Sequence, residues 1–82
     1  MEIIFSEDAK KQYKRLPKST QIKIARRVQA LKINPYAGKK LSGEFLGWCS
    51  LRAWPYRILY EINEEEKRIE VHKIVHRQGA YK

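Results

Sequence analysis

Apolar residues in the N-terminal part of the chain occur first as a run and then at helical spacing. Residues 2–5 are a short apolar run that predicts a strand. Ser6 supplies an N-cap oxygen for a first helix, and Pro17 breaks that helix. The apolar stripe of this helix, at positions i, i+4 and i+7, consists of Ala9, Tyr13 and Leu16.

A second helical pattern follows after a short turn. It begins near residues 18–20 and stops at Asn34 and Pro35, because the residue before a proline disfavours helical backbone. Its apolar stripe consists of Ile24, Val28 and Leu31, widened by Ile22 and Ala25. Two helices joined by so short a turn are expected to form an antiparallel hairpin. Their apolar stripes must be buried, and a sheet is the expected partner.

Beyond a loop at residues 36–47, the apolar period changes from that of a helix to that of a strand. The alternating sets are Trp48, Ser50 and Arg52 with Cys49, Leu51 and Ala53, then Tyr56, Ile58, Tyr60 and Ile62 with Arg57, Leu59 and Glu61, and last Ile69, Val71, Lys73 and Val75 with Glu70, His72, Ile74 and His76. Pro55 and the polar residues 63–67 mark the turns between these strands. The pattern predicts an α+β fold of order βααβββ, in which an N-terminal strand and a helical hairpin pack on one face of an antiparallel sheet.

Length and composition narrow the possibilities. The 82 residues predict a single domain, residues 1–82, without room for a deep cofactor cavity. No apolar run approaches the ~18 residues of a membrane span, and the N-terminus lacks the features of a signal peptide. The single cysteine, Cys49, excludes an intramolecular disulfide and a cysteine-rich zinc site. We therefore expect a cytoplasmic protein with no membrane partner.

Positive charge is concentrated in one part of the chain. The net charge is +9, from 18 lysines and arginines against 9 aspartates and glutamates, and no acidic residue lies between Asp8 and Glu44. Such a surface attracts a polyanion and releases its counterions, which favours binding to nucleic acid or the ribosome. An acidic protein partner, or solubility alone, are the alternatives that charge leaves open. The basic residues expected at the interface are Lys10, Lys14, Lys23, Arg26, Lys39 and Lys40.

A second set of residues suggests chemistry on the sheet face that the helices leave uncovered. Arg52, Arg57 and residues 76–77 are expected to gather there, with Tyr81 four residues beyond Arg77. Guanidinium groups pair with phosphate oxygens, and an aromatic ring stacks on an unpaired base. Such a set suits RNA cleavage in which the ribose 2′-OH attacks the adjacent phosphate. Composition and spacing alone predict nothing more specific than a basic α+β domain that binds nucleic acid. They indicate no metal and no cofactor.

The C-terminal half resembles a known toxin family. Residues 51–62, Leu-Arg-Ala-Trp-Pro-Tyr-Arg-Ile-Leu-Tyr-Glu-Ile, look like the core of the RelE/ParE toxin superfamily. Residues 75–82, Val-His-Arg-Gln-Gly-Ala-Tyr-Lys, resemble the His-Arg-x-x-x-Tyr ending of its RelE-type members. The Leu-x-Gly at residues 41–43 and the opening strand and helices fit as well. The resemblance therefore covers essentially the whole chain.

This resemblance implies the toxin of a prokaryotic type II toxin–antitoxin pair. RelE-type members enter the ribosomal A site and cut mRNA without a metal, leaving a 2′,3′-cyclic phosphate, so the resemblance implies an endoribonuclease that inhibits translation. Matched by position, Arg57 is the central catalytic arginine and Arg77 the second, while Tyr81 is the aromatic that engages the scissile nucleotide. Arg52 matches a further basic position on the sheet face.

The chain departs from the family pattern at the position of the general base. Some members carry lysines on the strand just before the Leu-Arg pair, where this chain has Trp48 and Ser50. The base is therefore expected to be His76, or one of the loop lysines, Lys39 or Lys40. In place of a lysine, Trp48 offers a ring that stacks on RNA.

The resemblance also implies partners and leaves two other functions open. The partners are the ribosome with its mRNA and an acidic antitoxin that folds on binding, which allows a toxin–antitoxin hetero-oligomer. ParE-type members share the fold, inhibit DNA gyrase and usually lack the His-Arg-x-x-x-Tyr ending. A ParE-like gyrase inhibitor and a non-catalytic module that binds nucleic acid or the ribosome are thus the alternatives.

Overall fold

A computed structural model describes residues 1–77 as two helices and a five-stranded sheet. In chain order the elements are β1 (Glu2–Phe5), α1 (Glu7–Lys14), α2 (Lys18–Ile33), β2 (Lys39–Lys40), a 3₁₀ turn (Gly43–Phe45), β3 (Trp48–Ala53), β4 (Tyr56–Asn63) and β5 (Arg68–His76). The predicted α+β fold is confirmed. Two short elements lie within residues 36–47, where the sequence predicts only a loop.

The sheet has the strand order β1-β5-β4-β3-β2. β3, β4 and β5 form the predicted antiparallel meander, and β2 adds to it antiparallel to β3. β1 pairs with β5 in parallel, so the complete sheet is mixed. β2 escapes sequence prediction because two lysines have no apolar alternation, and short, charged strands are typical of sheet edges.

Both helices pack on the same face of the sheet, as predicted. Ser6 caps α1, since its Oγ accepts a hydrogen bond from the Ala9 N–H at 3.0 Å. Ile22 and Ala25, expected to widen the stripe of α2, are exposed, because the sheet covers only the centre of that stripe. No helix within residues 1–77 is both long and apolar enough to cross a membrane. The core between helices and sheet consists of Ala9, Ile24, Val28, Leu31, Cys49, Leu51, Ala53, Ile58, Tyr60, Ile69, Val71 and Ile74.

A β-bulge at His72 changes which side chains of β5 face the helices. Leu59 of β4 pairs with Lys73, whereas the next residue, Tyr60, pairs with Val71, so His72 is the extra residue. The strict alternation predicted for β5 is therefore wrong beyond His72. Ile74 turns into the core, and Lys73 turns to the opposite face.

Two side chains, one from the N-cap of α1 and one from α1 itself, bind the backbone of β5 beyond the segment that pairs with β1. The Ser6 Oγ donates a hydrogen bond to the His72 carbonyl at 2.7 Å, and the Ile74 N–H donates to the Gln12 Oε1 at 2.8 Å. A buried backbone group without a partner would cost free energy, so these two side chains stabilise the bulged segment.

The buried Tyr60 hydroxyl fixes the chain that leads into β2. It donates a hydrogen bond to the Pro35 carbonyl at 2.8 Å and accepts one from the Gly38 N–H at 3.0 Å. A Cβ atom at residue 38 would collide with this hydroxyl, so the close approach requires glycine. Burial raises the pKa of Tyr60 to about 12. Tyr60 thereby sets the position of Lys39, which begins β2.

We predict that Tyr60→Phe lowers the free energy of unfolding by about 1–3 kcal/mol, because it leaves Pro35 and Gly38 without their buried partner. An unfolded tyrosine loses its proton near pH 10, before the folded one, so the stability of the wild type falls as pH rises from about 10 to 12. Tyr60→Phe removes this alkaline loss. Urea unfolding at about pH 8 and about pH 11 measures both effects.

The exposed Tyr36→Phe serves as a matched control, and we expect it to change stability at about pH 8 by less than ~0.5 kcal/mol. Equal alkaline losses of stability in Tyr60→Phe and the wild type would contradict the assignment to Tyr60.

Candidate active site

The face of the sheet opposite the helices, here called the open face, carries two arginines side by side. Strand pairing places Arg52 of β3 directly opposite Arg57 of β4, with Val75 of β5 next in the same row. Side chains opposite each other on antiparallel strands have Cβ atoms about 4.5–5.5 Å apart. The predicted gathering of Arg52 and Arg57 on the uncovered face is confirmed.

A third arginine joins this end of the sheet through Trp54. The Arg77 N–H donates a hydrogen bond to the Pro55 carbonyl at 2.8 Å, which brings Arg77 beside the turn between β3 and β4. The Arg77 Cζ lies 4.9 Å from the centroid of the Trp54 ring, and the Arg52 Cζ lies 5.8 Å from it. Both distances fit cation–π contacts. We call Arg52, Arg57, Arg77 and Trp54 the arginine cluster.

Two basic side chains of α2 hold the backbone beneath the arginine cluster. The Lys23 Nζ donates a hydrogen bond to the Trp54 carbonyl at 2.9 Å, and the Arg27 Nε donates to the Arg52 carbonyl at 3.0 Å. Lys23, predicted to bind RNA from the helical surface, thus reaches the turn at the arginine cluster.

His76 lies on the other side of the sheet from Arg57. β5 pairs His76 with Tyr56, whose ring it meets edge-on with centroids 5.2 Å apart, while Val75 pairs with Arg57. Side chains alternate between faces, so the expected gathering of His76 with Arg57 on the open face is wrong. The physical reason is the bulge at His72, which reverses the face of every later residue of β5.

The two lysines of β2 also point to opposite faces. Lys39 pairs with Ser50, which precedes Arg52 by two residues, so Lys39 shares the open face and lies one row from the arginines. Lys40 pairs with the buried Cys49 and belongs to the helix side, where it lines a cavity of about 420 Å³. Among the loop lysines, Lys39 is therefore the one brought onto the same face as the arginine cluster.

Lys73 is a basic residue of the open face that the sequence does not predict to be there. It is half-buried and pairs with Leu59, which also belongs to the open face and follows Arg57 by two residues. The signal in the sequence is the spacing of Ile69, Val71 and Ile74, where a step of two is followed by a step of three. Such a break in alternation indicates a bulge.

Trp48 lies at the far end of the open face from the arginine cluster. Its ring stacks on that of His72 with centroids 4.2 Å apart and contacts that of Phe45 at 5.4 Å. The Nε2 of His72 lies 3.0 Å from the Oε1 of Glu61, so this histidine has a carboxylate partner. Trp48, predicted to stack on RNA, is thus already stacked within the protein.

Glu61, Glu70 and His72 form a group of potential metal ligands at this end, with one ligand atom from each lying within 4.8 Å of the others. Glu61 and Glu70 are opposite each other on β4 and β5, and each carboxylate already has a side-chain partner. His72 accompanies Glu61, and the Arg68 Nε lies 2.9 Å from the Glu70 Oε2. The group is separated from the arginine cluster along β4.

The remaining predicted interface residues occupy the helices. Lys10 and Lys14 line a groove of about 350 Å³ between the two helices, whose other walls include Tyr13 and Val28. Arg26 is exposed on α2. Tyr81, the expected C-terminal aromatic, lies outside the described residues. The helical lysines and arginines therefore do not form one surface, because Lys23 points to the arginine cluster and Lys10 and Lys14 to the groove.

A family model and several solved structures are similar to this chain. The family model for the ParE toxin of the type II toxin–antitoxin system parDE matches residues 3–81. A search of the curated proteins finds no significant match.

Solved structures of toxins from three prokaryotes are similar to the chain. The RelBE2 toxin–antitoxin complex from Mycobacterium tuberculosis matches at 26% identity and a TM-score of 0.85, covering 92% of this chain and 95% of that one. A YoeB/ParE toxin from Agrobacterium tumefaciens has 23% identity and a TM-score of 0.81, with 93% and 98% covered. The archaeal RelE–RelB complex from Pyrococcus horikoshii has 23% identity and a TM-score of 0.80, with 96% and 97% covered.

We predict that inorganic phosphate stabilises the protein through the arginine cluster. At a phosphate concentration about five times its Kd, the melting temperature rises by about 4–8 °C, because the anion binds the folded state alone. Arg57→Gln reduces this rise. Thermal unfolding with phosphate and with sodium chloride at equal ionic strength measures the difference.

Lys32→Gln, at the last turn of α2, removes the same charge away from the arginine cluster and serves as the control. An equal loss of phosphate stabilisation in both variants would mean that the anion responds to net charge and not to this cluster.

Proposed function

The chain belongs to the ParE toxin family of type II toxin–antitoxin systems, and we propose that it acts as a ribosome-dependent endoribonuclease of the RelE type. In this proposal it cuts mRNA in the ribosomal A site and so inhibits translation. In the reaction the ribose 2′-OH loses its proton and attacks its own 3′ phosphate, while the bond from phosphorus to the 5′-oxygen breaks and that oxygen takes up a proton. The products are a 2′,3′-cyclic phosphate and a free 5′-OH.

The arginine cluster is the observation that carries the proposal. A phosphate under attack gathers negative charge on its non-bridging oxygens, and preorganised cations lower the barrier when they are aimed at that charge. Arg57 stands opposite Arg52, and Arg77 reaches the same end of the sheet through Trp54. Guanidinium groups match phosphate oxygens with paired hydrogen bonds, so the cluster suits a phosphodiester. Arg57 and Arg77 are the proposed catalytic arginines.

A general base must take the proton of the 2′-OH, and Lys39 is the candidate with the better position. It shares the open face with Arg57, whereas His76 and Lys40 belong to the helix side. The Tyr60 hydroxyl holds Lys39 in place through Pro35 and Gly38. Tyr81 remains the proposed partner of the scissile nucleotide.

The proposed partners follow from charge and from the relatives. The complexes from M. tuberculosis and P. horikoshii each pair a toxin with its antitoxin, which supports an antitoxin partner for this chain. We propose an acidic antitoxin that folds on binding, because the chain carries a net charge of +9. Lys10, Lys14 and Arg26 are proposed contacts to ribosomal RNA.

A gyrase inhibitor is the second candidate, and the family model favours it. That model describes the ParE toxin, whose fold the RelE-type members share. Against it stands the His-Arg-x-x-x-Tyr ending at residues 76–81.

We predict that Arg57→Ala and Arg77→Ala each slow mRNA cleavage by about 10²–10³-fold, the effect of removing one donor to the developing charge. Both variants keep the fold, since these side chains lie outside the core between helices and sheet. Primer extension on mRNA in a translating extract measures the cleavage. Lys67→Gln, in the turn between β4 and β5, is the control and leaves the rate unchanged.

The same preparations are tested for inhibition of DNA supercoiling by gyrase. If the wild-type protein leaves ribosome-bound mRNA intact but blocks supercoiling, the ribonuclease proposal is wrong and the gyrase inhibitor stands.

We predict that Lys10→Gln together with Lys14→Gln weakens ribosome association and lowers its salt dependence, with the slope of log affinity against log salt falling by about 1 for each phosphate that the protein no longer binds. The positions of the cuts stay the same, because these lysines lie away from the arginine cluster. Ribosome co-sedimentation over a salt series measures the slope. A double variant with the affinity and slope of Lys67→Gln would contradict a docking role for α1.

A further inference from the structure

Trp54 is an exposed indole beside the proposed catalytic arginines. It is 51% exposed and, with Pro55, forms the two-residue turn between β3 and β4. About half of its surface is open to solvent beside two guanidinium groups, so the ring is accessible to a bound molecule. The Lys23 hydrogen bond to its carbonyl keeps the backbone of the turn against α2.

The neighbours of the ring are cations that suit phosphate. The guanidiniums of Arg77 and Arg52 lie 4.9 Å and 5.8 Å from its centroid. A cation–π contact at an exposed position is weak, so a phosphate can draw either guanidinium to itself and leave the ring face to a base. An aromatic ring between groups that bind phosphate has the chemistry of a nucleotide site.

The other tryptophan lacks these features. Trp48 is half-buried, and its ring already stacks on His72 and contacts Phe45. Its neighbours across the strands include Glu61 and Glu70, whose charge repels phosphate. A base that stacked on Trp48 would have to displace His72 and bring its phosphates close to two carboxylates.

We propose that Trp54 is the stacking platform for one unpaired base of single-stranded RNA, and that Arg52 and Arg77 bind the phosphates on either side of that nucleotide. This inference rests on the proposed ribonuclease function, and it adds a base subsite to the phosphate site at Arg57. Stacking accepts any base, so the subsite holds the strand in place without setting its sequence.

The test uses a short single-stranded oligoadenylate with 2′-O-methyl riboses, which cannot be cleaved, and the same oligomer with every base removed, the abasic oligomer. Both carry the same phosphates, so they differ in stacking alone. We expect the wild-type protein to bind the abasic oligomer about 5- to 150-fold more weakly, the range for loss of one stacked base. Binding is followed by fluorescence anisotropy of an end-labelled oligomer.

Two variants at residue 54 separate the ring from the rest of the side chain. Trp54→Leu removes the ring and binds both oligomers with the lower affinity, whereas Trp54→Phe keeps a ring and restores most of the difference. Trp48→Phe is the matched control, and it leaves Trp54 as the single tryptophan of the chain. In that variant the intact oligomer quenches tryptophan fluorescence and the abasic oligomer quenches it less.

Three outcomes overturn the inference: equal binding of the intact and abasic oligomers by the wild type, equal preference in Trp54→Leu and the wild type, or a loss of preference in Trp48→Phe alone. The cleavage assay in the translating extract distinguishes this failure from failure of the proposed function. If the wild type cuts mRNA but binds the intact and abasic oligomers equally, the base subsite alone is refuted. A wild type that shows the preference and cuts no mRNA refutes the ribonuclease and leaves the subsite standing.

Discussion

The bulge at His72 is the constraint on which the rest of the structure depends. Without the extra residue, strict alternation would turn Lys73 toward the core and Ile74 toward solvent, and burying a lysine without a partner is costly. With the extra residue, the buried apolar side chains of β5 all face the helices. The end of β5 then lies beside the turn between β3 and β4, where Arg77 contacts Trp54. Backbone groups in the bulged segment bind Ser6 and Gln12, so the start of the first helix and the last strand specify each other.

The open face is divided by charge along the strands. Arg52 and Arg57 stand at the end nearest the turn, and Glu61 and Glu70 stand at the other end. Like charges placed opposite each other repel, so each end needs contacts that offset this repulsion. Trp54 contacts two guanidiniums at one end, while His72 and Arg68 accompany the carboxylates at the other. A polyanion is therefore drawn to one end of this face and repelled from the other.

The helices contribute to the open face although they pack on the opposite side. Lys23 and Arg27 reach past the edge of β3 and bind the carbonyls of Trp54 and Arg52. The backbone beneath the arginine cluster is thus attached to α2, which packs against β3 with its own buried stripe. Positive charge in the helical segment accordingly has two roles, since part of it supports the site and part of it remains on the surface.

The sequence by itself determined the two helices, β1, the three strands of the meander and their order, because periodicity, caps and prolines are local signals. It also predicted that Arg52 and Arg57 share the uncovered face, whereas their position directly opposite each other comes from the strand register of the structure. The parallel docking of β1 on β5, the pairing of β2 and the faces of Lys73 and His76 were decided only by tertiary structure. Two lysines carry no periodicity, and a bulge forms where it best satisfies a core assembled from distant residues. Likewise, the sequence presents two equivalent tryptophans, and the packing of His72 and Phe45 against Trp48 leaves only Trp54 exposed.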